Sequence, residues 1–439
     1  MTDQAITYRR VVAIALPVVL SNATVPLQSA VDTAIIGNLG DAVYLAAVTL
    51  GAGSIALVLA MFNFLQFGAS ALGAQALGAK DHRRVNNVLI RALILAGGIG
   101  LILIALQWWL APGIMRIYEG SEQAESLAIV YFQIRIWAAP AELGIYALSG
   151  WFAGQELTRR LVEIQVITSV GNIFLNLIFV LGFGLDVDGV ALGTLIAAWI
   201  GFGYGLWRAR ARIYQLMPGW RAEKSRLLNR AELGKLMRLN RDILIRTMLL
   251  VGAFTWMTRL GSQQGDEVLA ANGVLYQIFH VATYGLDGFA IAAEALVGQA
   301  IGAKDPRQLR RASVVSSVAA FWLAIAFTAV IFLFQTPLIN LFTNVEEVRQ
   351  IAGTYYFWAA LLPLVGVAAY QLDGIFVGAA EGSAMRNAMI ISAAAYFAAS
   401  IPLADAFGNH GVWGGIWVFM AMRGVTLLAR YPALERRAA

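Results

Sequence analysis

Runs of about twenty apolar residues, each closed by a short charged or glycine-rich break, recur along the whole chain. A bilayer core takes about 20 such residues per helix. Twelve runs have that length: 10–37, 44–68, 87–110, 126–150, 161–184, 189–208, 242–261, 267–292, 312–335, 350–376, 386–406 and 411–430. The pattern therefore predicts an all-α integral membrane protein with twelve transmembrane helices. The first run is expected to be a retained helix, because no small-residue cleavage site follows a short apolar core. No long soluble domain is expected at either end.

Composition strengthens this reading. Of 439 residues, 59% are hydrophobic and 13% charged, against roughly 25% charged in an average soluble domain. A mean hydropathy of +0.69 describes a chain as apolar outside as inside, which is what lipid demands. The absence of cysteine excludes disulfides, thiolate nucleophiles, iron–sulfur clusters and cysteine-held zinc. His82, His280 and His410 are too few and too scattered for a metal cage, so no resident metal or cofactor is expected. The net charge of +6 sits in short loops between apolar runs, so it is read as a topology signal and not as a nucleic-acid surface.

The topology signal is consistent along the chain. Arg9 and Arg10, then Lys80, Arg83 and Arg84, Arg159 and Arg160, Lys304, Arg307, Arg310 and Arg311, and Arg386 lie at the N-terminus and in every second connection. Ten more Lys and Arg lie between Arg208 and Arg241. The opposite loops hold little besides Arg116 and Arg349. Positive charge stays on the cytoplasmic side, which places both termini there and predicts a multi-pass protein of the cell inner membrane.

An internal repeat organises the sequence. Ala71-Leu-Gly-Ala-Gln-Ala-Leu-Gly-Ala-Lys-Asp81 returns as Ala295-Leu-Val-Gly-Gln-Ala-Ile-Gly-Ala-Lys-Asp305, an offset of 224 residues. Gly150-Trp-Phe-Ala-Gly154 returns at the same offset as Gly374-Ile-Phe-Val-Gly378, and Gly184 as Gly408. Six spans per copy give both halves the same orientation, related by a pseudo-twofold axis along the membrane normal. The expected plan is an N-terminal six-helix lobe over 1–208, a cytoplasmic linker over 209–240 and a C-terminal lobe over 241–439. Such a pair of lobes predicts a transporter that works by alternating access.

No motif supports an enzyme or a nucleotide-driven pump. The nearest match to a phosphate loop, Gly73-x4-Gly78-Ala-Lys80, has Asp81 where a Ser or Thr belongs, and Val297 replaces its first glycine in the second copy. An ion gradient remains as the energy source, and ionisable residues at membrane depth become the candidates. Asp32 leads them. At 100° per residue Ser21, Val25, Gln28 and Asp32 share one stripe, polar at Ser21, Gln28 and Asp32 in an oily helix. Pro26 removes a backbone donor and clashes with the carbonyl of Asn22, which predicts a hinge. Asn172 and Asn176, four residues apart, and Thr194 in the sixth span are the expected partners, able to bond either protonation state of the acid.

The repeat places Trp256 opposite Asp32 and Leu250 opposite Pro26, so the two lobes are expected to do different work. The second lobe carries Asp287, Glu294 and Asp373, the first two about 10 Å apart along one helix face. With Tyr276 they are read as a cation or substrate path, with Arg246 as a neutralising partner of one acid. Arg135 and Glu142 are read as a structural or gating pair. Tyr276, Phe279, Tyr284, Phe289 and Trp358, with Met248, Met257, Met385 and Met389, are read as adaptable lining for flat, lipophilic cations or as ordinary packing.

These residues resemble a family. The acid of the first helix in the form Pro26-x5-Asp-Thr-Ala-Ile-Ile-Gly37, and Gly-Ala-Lys-Asp after the second and eighth spans, are similar to the multidrug and toxic compound extrusion (MATE) family. Leu239-Asn-Arg-Asp242, Leu286-Asp-Gly-Phe289 with Glu294, Leu372-Asp-Gly374, Met385-Arg-Asn387 and Gly408-Asn-His410 resemble the branch of it named for DNA-damage-inducible protein F. The resemblance implies an export antiporter driven by protons or sodium, with the coupling carboxylate carried over to Asp32. Relatives often have Asn and Asp in the fifth helix where this chain has Asn172 and Asn176; the sodium-coupled relatives use acids of the second lobe, including one in the seventh helix that this chain lacks, while Asp373 remains in the tenth.

The expectation is a monomeric twelve-span antiporter, with the lipid bilayer and small-molecule organic substrates as its partners, that exports amphipathic or cationic compounds in exchange for protons. Sodium coupling, export of organic anions or lipid-linked precursors, and a non-transporting membrane receptor or scaffold are the alternatives.

Overall fold

The computed structural model describes residues 5–37, 42–118, 121–220, 227 and 229–438. All regular structure among them is helical, as a chain without water around it requires, since only a helix or a closed barrel satisfies every backbone group in lipid. The first half contains α1 (Tyr8–Gly37), α2 (Ala42–Ala60), α3 (Phe64–Gly78), α4 (His82–Tyr118), α5 (Glu122–Arg135), α6 (Ala139–Ala153), α7 (Thr158–Leu177) and α8 (Val187–Leu216). The second contains α9 (Arg230–Ser262), α10 (Asp266–Gly302), α11 (Pro306–Leu333), α12 (Gln335–Phe342), α13 (Glu346–Gly378), α14 (Gly382–Phe407), α15 (Asn409–Leu428) and α16 (Tyr431–Ala438).

Two expected spans are broken. The span read as 44–68 is α2 and α3, separated by the turn at 61–63 and running on to Gly78. The fourth span is α5 and α6, joined by a 3-10 turn at Ile136–Ala138. Pro140 in the first turn of α6 has no N–H to continue the ladder, and its ring crowds the carbonyl four residues back. Ten helices are long and apolar enough to cross a membrane among the described residues. With α1 and the α5–α6 rod they make twelve.

The chain divides into two compact units. One comprises 20–73 and 81–234; the other comprises 235–439 together with 1–19 and 74–80. In the first, α6 crosses α3 so closely that a Cβ at Gly150 would collide with the backbone carbonyl of Gln66. In the second, α13 crosses α10 in the same way, with Gly374 against Ala290 and Gly378 against Glu294. Small residues permit such approach between helices in lipid. Gln66 and Ala290 stand 224 residues apart, as do Gly150 and Gly374, so the repeat is one of contacts as well as letters.

The backbone repeats it too. Left-handed residues pair at the same offset: Lys80 (φ 58°) with Lys304 (φ 55°), Glu156 (φ 61°) with Ala380 (φ 57°), and Gly184 (φ 68°) with Gly408 (φ 56°). This explains the duplicated Gly-Ala-Lys-Asp motif. Gly78 and Gly302 seat the ends of α3 and α10 against the backbones of Gln299 and Gln75. The Lys turns the chain, and the Asp caps the next helix: Asp81 Oδ1 accepts from Arg84 N at 2.9 Å and Asp305 Oδ1 from Arg307 N at 3.0 Å.

Candidate functional site

In the first unit, α7 and α8 pack side by side and bring three of the expected residues into direct contact. Asn172 Nδ2 donates to Thr194 Oγ1 at 2.7 Å, Asn176 Nδ2 donates to Asn172 Oδ1 at 3.3 Å, and the Thr194 hydroxyl donates to the carbonyl of Val190 at 2.8 Å. Both asparagines are 0% exposed. Gly193 makes room for this chain of amides, because a Cβ there would strike Asn176 Oδ1. Uncharged groups that donate and accept form a polar rail able to serve either form of an acid. The side chains of Pro26, Gln28 and Asp32, on α1, lie outside the described residues, so the expected hinge and the meeting of Asp32 with this rail belong to the proposal below.

Arg135 and Glu142 form an ion pair, and Tyr131 bonds the same guanidinium. The 3-10 turn between the two residues carries α5 into α6 without separating them.

The second unit builds a denser charged cluster. Asp373 on α13 is held by Arg246 on α9 and by Arg423 on α15, the latter Nη2 to Oδ2 at 2.5 Å. Both guanidiniums meet the same oxygen. Asp287 on α10, half-buried, has Arg246, Arg423 and Asp373 as its electrostatic neighbours. Arg423 is 2% exposed, beneath Tyr370 and Phe419 with ring centroids at 5.7 and 5.6 Å. Tyr276 packs on Phe254 and His280 at 5.4 and 5.2 Å. Glu294, 3% exposed, sits at the α10–α13 crossing. Thus Asp287 and Asp373 come together, and Arg246 is the partner of Asp373.

Arg423 is the residue that reading the sequence missed. Its signal was present: an arginine in the middle of the apolar run 411–430 is costly at membrane depth and points to a partner. Part of the expected aromatic and methionine lining is instead packing. Phe279, Met257, Met385 and Met389 are buried in the unit's interior, because the helices that carry them turn those faces inward. Other motifs turn out to be joints. Asp242 accepts from Arg386 Nη1 at 2.7 Å, linking Leu239-Asn-Arg-Asp242 to Met385-Arg-Asn387. Asn409 and Asn272 exchange amide bonds at 2.7 and 2.9 Å, and Trp358 Nε1 donates to His410 Nδ1 at 2.9 Å.

Twelve membrane-length helical rods, a contact-level repeat and buried ionisable clusters are the features of a multi-pass membrane transporter. The MatE family pattern matches residues 17–178 and 243–404, covering both halves. The chain belongs to the multidrug and toxic compound extrusion family of efflux transporters. It is 37% identical to DNA damage-inducible protein F of Escherichia coli (strain K12) over 95% of this chain and 90% of that protein. It is 29% identical to Protein DETOXIFICATION 44, chloroplastic, of Arabidopsis thaliana over 94% of this chain and 80% of that one. A solved transporter of the MOP superfamily from Pyrococcus furiosus superposes with a TM-score of 0.87 at 21% identity, over 98% of this chain and 97% of that chain.

Proposed function

We propose that the chain exports amphipathic or cationic organic compounds by proton-coupled antiport, with Asp32 as the proton carrier. The reading includes alternating access by two six-helix lobes, 1–208 and 241–439, joined by a cytoplasmic linker over 209–240. It places the protein in the cell inner membrane as a monomer, with both termini cytoplasmic.

The observation that carries the reading is the contrast between the two units. Asp373 is matched by guanidiniums, whereas the polar groups assembled on α7 and α8, which this reading pairs with Asp32, are uncharged amides and a hydroxyl. An acid served by neutral groups can gain and lose a proton without breaking an ion pair. When ionised, Asp32 draws the amides of Asn172 and Asn176; when protonated it releases that pull, and α1 bends at Pro26. A proton biases two conformations only by its differential affinity for them. One pKa unit between the two states corresponds to about 1.4 kcal/mol, enough for a tenfold change in populations.

Asp32→Asn mimics the permanently neutral acid. Reconstituted in liposomes, it is expected to fold and to retain cargo binding, yet to lose export driven by an imposed pH gradient. Proton-driven export at the wild-type rate by this variant would overturn the assignment and move the search to the acids of the second unit.

A further inference from the structure

A sodium-coupled reading of the same protein would need a buried acid that is open to a cation, and Asp373, 8% exposed in the second unit, is a candidate for that role. We propose that Arg423 is a tethered cation that occupies this position permanently and so makes the transporter blind to sodium. The proposal deepens the proton-antiport reading above and rests on it.

Four observations converge. Asp373 Oδ2 accepts from both Arg246 Nη2 and Arg423 Nη2. A hard cation binds by gathering oxygen ligands, and one of the two Asp373 carboxylate oxygens is already shared between two guanidiniums. Arg423 does not swing freely, because its guanidinium is seated against Met420 Sδ at 3.1 Å and beneath Tyr370 and Phe419. The seat is supplied by α15 and α13 themselves: Phe419 and Met420 lie on the same helix as Arg423, and Tyr370 one turn before Asp373.

The charges of the cluster also balance. Asp287 and Asp373 face Arg246 and Arg423, two acids against two guanidiniums, so a further cation meets as much repulsion as attraction. Removal of Arg423 alone would leave two acids against one guanidinium, with a vacant position beside Asp373. Arg423 thus acts through Asp373 as a specificity-determining and positioning residue: it excludes the competing ion and leaves the proton as the coupling species.

The test is saturable radiosodium binding to purified protein, with export measured separately under a sodium gradient at constant pH. The wild type is expected to show neither binding nor sodium-stimulated export. Arg423→Met is expected to gain saturable sodium binding, and to lose it again when combined with Asp373→Asn. Arg423→Lys, which keeps the tethered charge, is expected to stay blind to sodium; a merely structural role for Arg423 would not distinguish the two replacements in this way. Arg423→Gln is measured in the same manner should Arg423→Met not fold. Saturable sodium binding by the wild type that disappears in Asp373→Asn would overturn the proposal, as would a folded Arg423→Met or Arg423→Gln that binds none. Loss of the proton reading would appear elsewhere, as unimpaired pH-driven export by Asp32→Asn.

Discussion

Arg135 and Glu142 illustrate how charge is handled residue by residue in this molecule. Each side chain is mostly enclosed, and each is the other's counter-ion. Breaking a buried pair by removing one partner typically costs about 3–5 kcal/mol, because the remaining charge is stranded, whereas replacing both by apolar groups is often neutral. Arg135→Met alone is therefore expected to lower the thermal stability of the detergent-purified protein markedly, and Arg135→Met with Glu142→Leu to recover most of the loss. Equal destabilisation by the single and double variants would show that the pair is not the interaction that matters there. The amide rail of Asn172, Asn176 and Thr194 belongs to the other regime, since interhelical hydrogen bonds in membranes average about 0.6 kcal/mol. Its value lies in chemistry more than in stability.

Helices in this protein are positioned by glycine. At Gly374 the backbones of α13 and α10 approach so closely that even a methyl group would strike the carbonyl of Ala290. Gly374→Leu is expected to abolish the yield of folded, monodisperse protein. Gly97, inside α4, has nothing within 4 Å of the place a Cβ would take. There an alanine meets only lipid or open space, and helix propensity favours it over glycine by about 0.5–1 kcal/mol. Gly97→Ala is expected to match or exceed the wild type in thermal stability. Size-exclusion profiles and melting curves of the two variants check both statements, and a well-folded Gly374→Leu would contradict the crossing.

Orientation is a property of the whole molecule, and the native chain offers a clean way to measure it because it contains no cysteine. With both termini and segment 209–240 cytoplasmic, a cysteine placed at Ser225 should escape a membrane-impermeant thiol reagent in intact cells, and one placed at Asp41 should react. Both positions lie outside the described residues. The reverse labelling pattern would overturn the orientation and, with it, the direction of export.

The twelve rods and the 224-residue register were legible because both rest on local facts: run length against bilayer thickness, and letters recurring at one spacing. The glycine motifs were visible in the same way, and the structure supplied their reason in the crossings at Gly150 and Gly374 and the turns at Lys80 and Lys304. What lay beyond reach was rotation. In water an apolar stripe tells which face of a helix is buried, but in lipid the outward face is as apolar as the inward one, so periodicity does not say which side of α15 meets α13. That rotation decides that Arg423 bonds Asp373, fifty residues away in the chain, and that Met257 and Met389 fill an interior instead of lining a path. Individual charges at membrane depth announce that each needs a partner; only the packing of the helices chooses which one it gets.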